Sequence, residues 1–379
     1  MRPSAAARTL PDMADSGYSK HRNDRAWVHA AIAALEAESA RSADTHLLHV
    51  RFPGYPGIDI YFKDEAAHPT GSLKHRLARS LFLYALCNGR LHPGQTVIDA
   101  SSGSTAISEA WFARLLDLRF VAVVPQSTAP GKLRELRAQG ADCELVPDGD
   151  DCVALARALA RAERGCFLDQ FGLAERATDW RGNNNIAESI LGQLRREPHP
   201  EPAWIVCGAG TGGTSATIGR YLRYRGLATC LCVAEPRAGA FAQGWRGTGD
   251  GTGSCSLVEG IGRPRIEPGF LFDVVDAVIE VDDGASCAGA HVLAEHFGRR
   301  YGGSSGTNLV ACLQLAAAMA AGGERGSIVS LLCDRGDRYA ETVFDEAWLA
   351  QHLPGHAGWR RVLEQAMRYG GVPRPPPAP

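Results

Sequence analysis

The sequence predicts an α/β protein of two lobes, each with a mostly parallel sheet flanked by helices. Three observations carry this. Short apolar runs alternate with stripes of helical period from residue 96 onward. The alternation comes in two rounds, the first ending near Gln170 and the second opening at Trp204. A length of 379 residues suits two lobes or one large α/β domain.

The elements follow in order. Residues 1–22 look like a loose tail. Ala26 to Arg41 has helical spacing, with Trp27, Ala31, Ala34 and Leu35 on one side. Ile58 to Lys63 alternates as a strand does. Leu77, Leu81 and Ala85 form a helical stripe that stops at Asn88-Gly89. Then come a strand at Thr96–Ala100, a helix after Ser104, a strand at Phe120–Val124 and a helix after Pro130-Gly131. Cys143–Val146, an alanine- and arginine-rich helix, and Cys166–Gln170 close the first round. The second round has Trp204–Cys207, a helix from about Gly212, and Cys230–Ala234. This divides the chain into an N-terminal lobe over 23–178, a C-terminal lobe over 179–350 and an extension over 351–379 with a proline-rich end. Ligands are expected in the crevice at the carboxyl ends of the strands.

Composition narrows the function. A net charge of −2 makes no case for nucleic acid, and no apolar stretch approaches membrane-spanning length. The eleven cysteines are scattered without a Cys-x-x-Cys pair, so they are expected reduced in a reducing, cytoplasmic setting. The N-terminus has no apolar signal core. The twelve histidines show no ligand spacing, and no metal is expected.

Two segments carry the chemistry. In His68-Pro-Thr-Gly-Ser-Leu-Lys-His-Arg76 one lysine, Lys74, follows a turn of small residues at a helix start. In Gly208-Ala-Gly-Thr-Gly-Gly-Thr214 a glycine- and hydroxyl-rich loop joins a strand to a helix, which suits phosphate. An amine near a phosphate cup is what pyridoxal 5'-phosphate requires. A lone surface lysine is the plain alternative for Lys74. The loop has its own rival, because Gly208, Gly210 and Gly213 satisfy G-x-G-x-x-G and Glu235 follows near the distance of a dinucleotide fingerprint. A purely structural turn is a third possibility. Ser101-Ser-Gly-Ser-Thr105 ends a strand and opens a helix. It is either an anion cup for a substrate carboxylate or a cap made by Ser102 or Ser104. Gly303-Ser-Ser-Gly306 repeats the design. The polar cluster of Arg176, Arg181 and Asn183–Asn185 belongs to a loop or interface, or to the mouth of the cleft.

With these motifs in order, roughly residues 45 to 345 resemble the cysteine synthase and cystathionine β-synthase family of fold-type II pyridoxal-phosphate enzymes (tryptophan synthase β-like). Within it the likeness is strongest to actinobacterial L-cysteine desulfhydrases. The resemblance implies that Lys74 is the Schiff-base lysine and that Gly210, Thr211, Gly212, Gly213 and Thr214 hold the phosphate. Gly260, within Val258–Gly262, would lie near the ring, and Ser304 would face the pyridine nitrogen. Ser101, Ser102, Gly103, Thr105 and Gln170 would bind the substrate carboxylate. The chain departs from the family pattern at three places. His75 stands for the aspartate after the lysine. Ser104 stands for an asparagine that touches the cofactor's phenolic oxygen. Cys333, Asp334 and Arg335 replace a Pro-Ser-Ser run before Gly336-Asp-Arg-Tyr339. The implied activity is β-elimination from L-cysteine to sulfide, pyruvate and ammonia. Cysteine synthase, using O-acetylserine, or cystathionine β-synthase replacement chemistry shares the same residues. A homodimer is implied too. Two other classes remain from the residues alone: an NAD-dependent oxidoreductase built on the glycine loop, and a catalytically silent relative that only binds.

Overall fold

The computed structural model describes residues 17–376, apart from 43, 183, 238, 249 and 250. Ten strands are seen among them: β1 (Leu47–Val50), β2 (Ile58–Asp64), β3 (Val97–Ala100), β4 (Phe120–Pro125), β5 (Ala141–Val146), β6 (Cys166–Phe167), β7 (Trp204–Gly208), β8 (Cys230–Pro236), β9 (Ala277–Val281) and β10 (Gly326–Leu332). They form two sheets. One has the order β1-β2-β10-β7-β8-β9, and the other β5-β4-β3-β6. Every pairing is parallel except β1 with β2. The α/β reading, with two mostly parallel sheets flanked by helices, is therefore correct.

The sheets do not divide the chain at residue 178. β1 and β2, from the N-terminal part, pair with β10 and complete the larger sheet. β2 is buried along its whole length, so its apolar residues need cover on both faces. Ile58, Ile60 and Phe62 meet helix Gly303–Ala321 in one core, and Tyr61 joins Ile205, Cys207 and Val329 in another. The small sheet alternates in the same way. Phe120, Ala122 and Val124 face helices Lys74–Cys87 and Ser104–Leu115, while Val121 and Val123 face helix Cys152–Ala162.

Three elements differ from the expectation. The N-terminal helix spans Gly17–Arg41, so it starts inside the segment read as a tail, whose residues 1–16 lie outside the described residues. The strand expected over Cys166–Gln170 ends at Phe167, because Asp169 sits in the left-handed region (φ 58°) and accepts a hydrogen bond from Gly172 N–H, turning the chain into helix Gln170–Ala177. In the extension, helix His356–Tyr369 buries Trp359, Leu363 and Ala366. Among the described residues no helix is long and apolar enough to cross a membrane.

Candidate active site

A cavity of about 860 Å³ opens at the carboxyl ends of β3, β7 and β10. It is lined by Lys74, Ser101–Thr105, Gln170, Gly210–Gly212, Thr214, Gly260 and Ser304, which brings together every expected site residue except Gly213. Gly213 faces an adjoining cavity of about 380 Å³ that also reaches Lys74, Thr211 and Thr214. Asn184 and Asn185 line that second space rather than the main mouth. Asn185 caps helix Ile186–Leu194 and donates to the carbonyls of Asp179 and Gly182, so its role is to shape the loop. Asn183 lies outside the described residues.

Lys74 is the first residue of its helix. Gly71 (φ 70°) makes the preceding turn, and Leu73 N–H donates to Cys333 O at 2.8 Å, which stitches the turn to the end of β10. Among the described residues Nζ has no hydrogen-bond partner. Burial pushes its pKa below the ordinary lysine value, against the pull of Cys333 and Asp334. A dry, unpaired amine is the state that attacks a carbonyl. His75 points away from the cavity contacts. It is buried, its Nε2 meets Glu38 Oε1 at 3.1 Å and its Nδ1 meets Thr70 Oγ1 at 3.2 Å. The residue after the lysine thus anchors the N-terminal helix to the Lys74 turn.

The glycine loop leads into helix Gly213–Arg225. Among the described residues the N–H groups of Thr211, Gly212 and Thr214 meet no backbone acceptor, so they remain available at a helix N-terminus. Gly212 holds φ 82°, and a Cβ there would stand 2.4 Å from the backbone of Gly269. The fold itself requires this glycine. Glu235, the candidate ribose ligand of the dinucleotide reading, is buried, and its carboxylate accepts from the N–H groups of Phe241 and Ala242. It has no free face for a sugar hydroxyl.

In the serine loop, Gly103 occupies the cap position without a side-chain bond, so neither Ser102 nor Ser104 caps the helix. Ser101 Oγ accepts from Gly103 N–H at 3.3 Å. Ser104 Oγ accepts from Arg338 Nη1 at 2.6 Å and donates towards Asp334 Oδ2 at 3.4 Å. Gln170 Nε2 donates to Ala100 O at 3.0 Å, which holds it beside the loop. Ser304 lies in the first turn of helix Gly303–Ala321 and is buried against Cys333, whose thiol burial pushes up to about 12. These residues fit pyridoxal 5'-phosphate: an unpaired amine, free N–H groups with the Thr211 and Thr214 hydroxyls, and a serine at the far end.

Residues 41–334 match the family described as pyridoxal-phosphate dependent enzyme. The chain belongs to this family. It is 53% identical over 91% of its length, and 95% of the relative's, to the L-cysteine desulfhydrase of Mycobacterium tuberculosis. It is 30% identical to a putative cysteine synthase of Sinorhizobium fredii, covering 85% of this chain and 92% of that one. Among solved structures, O-ureido-L-serine synthase superposes with a TM-score of 0.68 at 28% identity, over 81% of this chain and 96% of that one. The expected fold-type II assignment and its cofactor, pyridoxal 5'-phosphate, are correct.

Three contacts of this pyridoxal-phosphate enzyme were not foreseen from sequence. Arg338, from the segment after β10, reaches Ser104. Lys132 Nζ meets Glu259 Oε2 at 2.8 Å at the cavity's edge. Glu109, on the buried face of helix Ser104–Leu115, touches Asp99. Only the last had a sequence signal: a carboxylate inside the otherwise apolar run of that helix. Among the described residues no group of three or more His, Cys, Asp or Glu is placed to hold a metal.

Proposed function

We propose that this chain is an L-cysteine desulfhydrase, a carbon–sulfur lyase that turns L-cysteine and water into sulfide, pyruvate and ammonia. The observation that carries this is the identity with the mycobacterial desulfhydrase along nearly the whole of both chains. When bound, the cofactor supplies a carbonyl carbon for amine exchange and a ring that accepts the electron pair left at Cα.

Lys74 Nζ anchors the cofactor, and as a neutral amine it takes the α-proton from cysteine. Its lowered basicity suits that exchange near neutral pH. Thr211, Thr214 and the N–H groups of Gly210–Thr214 would hold the phosphate, and Gly260 would lie beside the ring. The Ser304 hydroxyl would serve the pyridine nitrogen. Ser101, Ser102, Gly103 and Thr105, with Gln170, hold the substrate carboxylate and so turn the Cα–H bond towards Lys74. The pair from that bond becomes the Cα=Cβ bond while Cβ–S breaks and thiolate departs.

The reading includes a cytoplasmic homodimer. Eleven free cysteines suit a reducing compartment, and light scattering on the purified protein tests the dimer. A β-replacement activity, as in cysteine synthase, is the second reading, supported by the putative cysteine synthase relative. One experiment separates the two. Purified enzyme receives L-cysteine, and separately O-acetylserine with sulfide. Sulfide and pyruvate in equal amounts from the first, with little cysteine from the second, support elimination. Cysteine synthesis outrunning pyruvate release overturns it.

A further inference from the structure

Asp99 and Glu109 do not line the cavity, yet they sit directly behind its serine loop. Asp99 is on β3, two residues before Ser101, and Glu109 is on the helix that Ser104 opens. Both are fully buried. Asp99 Oδ1 accepts from Ala100 N–H at 2.8 Å, and Oδ2 accepts from Gln170 N–H at 3.1 Å. Gln170 returns a bond from Nε2 to Ala100 O. Among the described residues neither oxygen of Glu109 has a donor, and the Asp99 carboxyl lies beside it.

Two touching carboxyl groups in a dry interior cannot both be ionised, so the pair keeps a proton. Asp99 takes two N–H bonds and is the better anion. Glu109 is then the acid, and its O–H points at Asp99. Burial raises both groups, Asp99 to about 6 and Glu109 well above its ordinary value. The other titratable groups near Asp99 are Asp169, on the turn before Gln170, and Cys166, on β6.

We propose that Glu109, in its protonated form, is a positioning residue for the substrate carboxylate: by donating to Asp99 it locks the Ser101–Thr105 loop and Gln170 into one frame. This rests on the reading of that loop and Gln170 as the carboxylate site. β3, the helix from Ser104 and the helix from Gln170 contribute to one apolar core. The carboxyl pair joins all three, so its loss loosens the frame without touching the phosphate loop or Lys74.

The test uses the holoenzyme and two probes read by cofactor absorbance. L-alanine carries amine and carboxylate but no leaving group; methoxyamine carries no carboxylate. In Glu109→Leu the dissociation constant for L-alanine is expected to rise about tenfold, the effect of leaving a buried acceptor short of a donor. The rate with methoxyamine should stay within about twofold. Glu109→Gln, whose amide donates in place of the acid, should bind L-alanine within about twofold of the parent. The proposal is overturned if Glu109→Leu binds L-alanine as the parent does, if Glu109→Gln loses as much as Glu109→Leu, or if methoxyamine slows together with alanine. A parent enzyme that answers methoxyamine but not L-alanine overturns the carboxylate-site reading, and the proposal with it. Should Glu109→Leu not fold, thermal midpoints of the parent and Glu109→Gln decide. A group neutral in the fold and ionised in the unfolded chain makes stability fall as pH rises. The parent should therefore lose ground to Glu109→Gln as pH rises above the ordinary carboxylate range. A constant gap overturns the protonated state.

Discussion

Arg338 donates from Nη1 to Ser104 Oγ at 2.6 Å, and this bond ties the segment after β10 to the helix after β3. The same guanidinium reaches Glu135 Oε1 at 3.0 Å and Thr70 O at 3.4 Å. Tyr339 OH donates to Asp334 Oδ2 at 2.6 Å, next to the serine. The Ser104 lone pair is thus committed to an arginine, and its proton is shared with Asp334. Little is left to grip a cofactor oxygen.

That commitment bears on product choice. In Ser104→Asn the longer side chain has an oxygen for Arg338 and an N–H for the cofactor. A firmer hold on the ring favours attack by a second substrate over release. With sulfide and O-acetylserine supplied, the ratio of cysteine formed to pyruvate formed should rise about threefold or more, the worth of one modest hydrogen bond. The ratio is read by chromatography of both products. An unchanged ratio places the control of partition elsewhere.

Among the described residues Lys74 Nζ has no hydrogen-bond partner to lose, so cofactor-free Lys74→Ala should fold as the cofactor-free parent does, within about 1 kcal/mol by thermal midpoint. Sulfide release from L-cysteine should fall by at least about 10²–10⁴-fold, the ordinary contribution of a positioned base. Near-normal steady-state turnover by this variant would remove Lys74 from the mechanism.

The fold and the positions of the site were legible because each rests on local pattern. Period and turn residues placed Lys74 at one helix start and another start at about Gly212, one residue before the observed Gly213. The motif spacings carried the cavity lining. Contacts between distant segments were not legible. Nothing local links Ser104 to Arg338 or Lys132 to Glu259, which the folded chain alone brings together. The strand β1 was missed because four residues with one buried position carry no alternation to detect. The early turn at Asp169 was missed because a left-handed aspartate leaves no composition mark. Gly212 was read as a concession to phosphate, while the backbone of Gly269 makes the same demand.

That last point changes how the phosphate loop is tested. A Cβ at Gly212 would clash with Gly269 at a positive φ, so Gly212→Val is expected to disrupt the fold itself. Thr214→Val is the cleaner probe, since the Thr214 side chain faces the cavity and the swap conserves shape. Loss of one hydrogen bond to a phosphate should raise the cofactor's dissociation constant about tenfold or more. Cofactor retained after dialysis is the measurement. Full retention by folded Thr214→Val would move the phosphate away from that hydroxyl.

Lys132 and Glu259, both lining the cavity, form an ion pair, and both side chains are about one-third exposed, at 34% and 36%. An exposed pair of this kind is worth less than about 1 kcal/mol and is screened by salt. Lys132→Ala should leave the thermal midpoint almost unchanged. It should raise KM for L-cysteine more than it lowers kcat, and about 0.5 M salt should produce a similar change in the parent. Kinetics in low and high salt check this. A fall in kcat alone would place Lys132 in the chemistry rather than at the mouth.

Glu235 offers a test at a residue that does not line the cavity. Its carboxylate opens helix Phe241–Arg246 by accepting two N–H groups, and burial pushes its pKa up to about 7. The folded value lies above the unfolded one. The stability it contributes is therefore fully present below about pH 4.5 and is lost as pH rises through about 7. The size of that change is on the order of 2–3 kcal/mol. Glu235→Gln cannot titrate, and its amide nitrogen faces an N–H that needs an acceptor, at a cost of about 1–3 kcal/mol. The variant should be the less stable protein near pH 5, and the gap should close as pH approaches 8. Urea midpoints at three pH values across that range measure it. Cofactor content and sulfide release should be unchanged, because the side chain does not line the cavity. A gap that ignores pH would mean that Glu235 stays ionised in the fold, held by its two N–H bonds against the cost of burial.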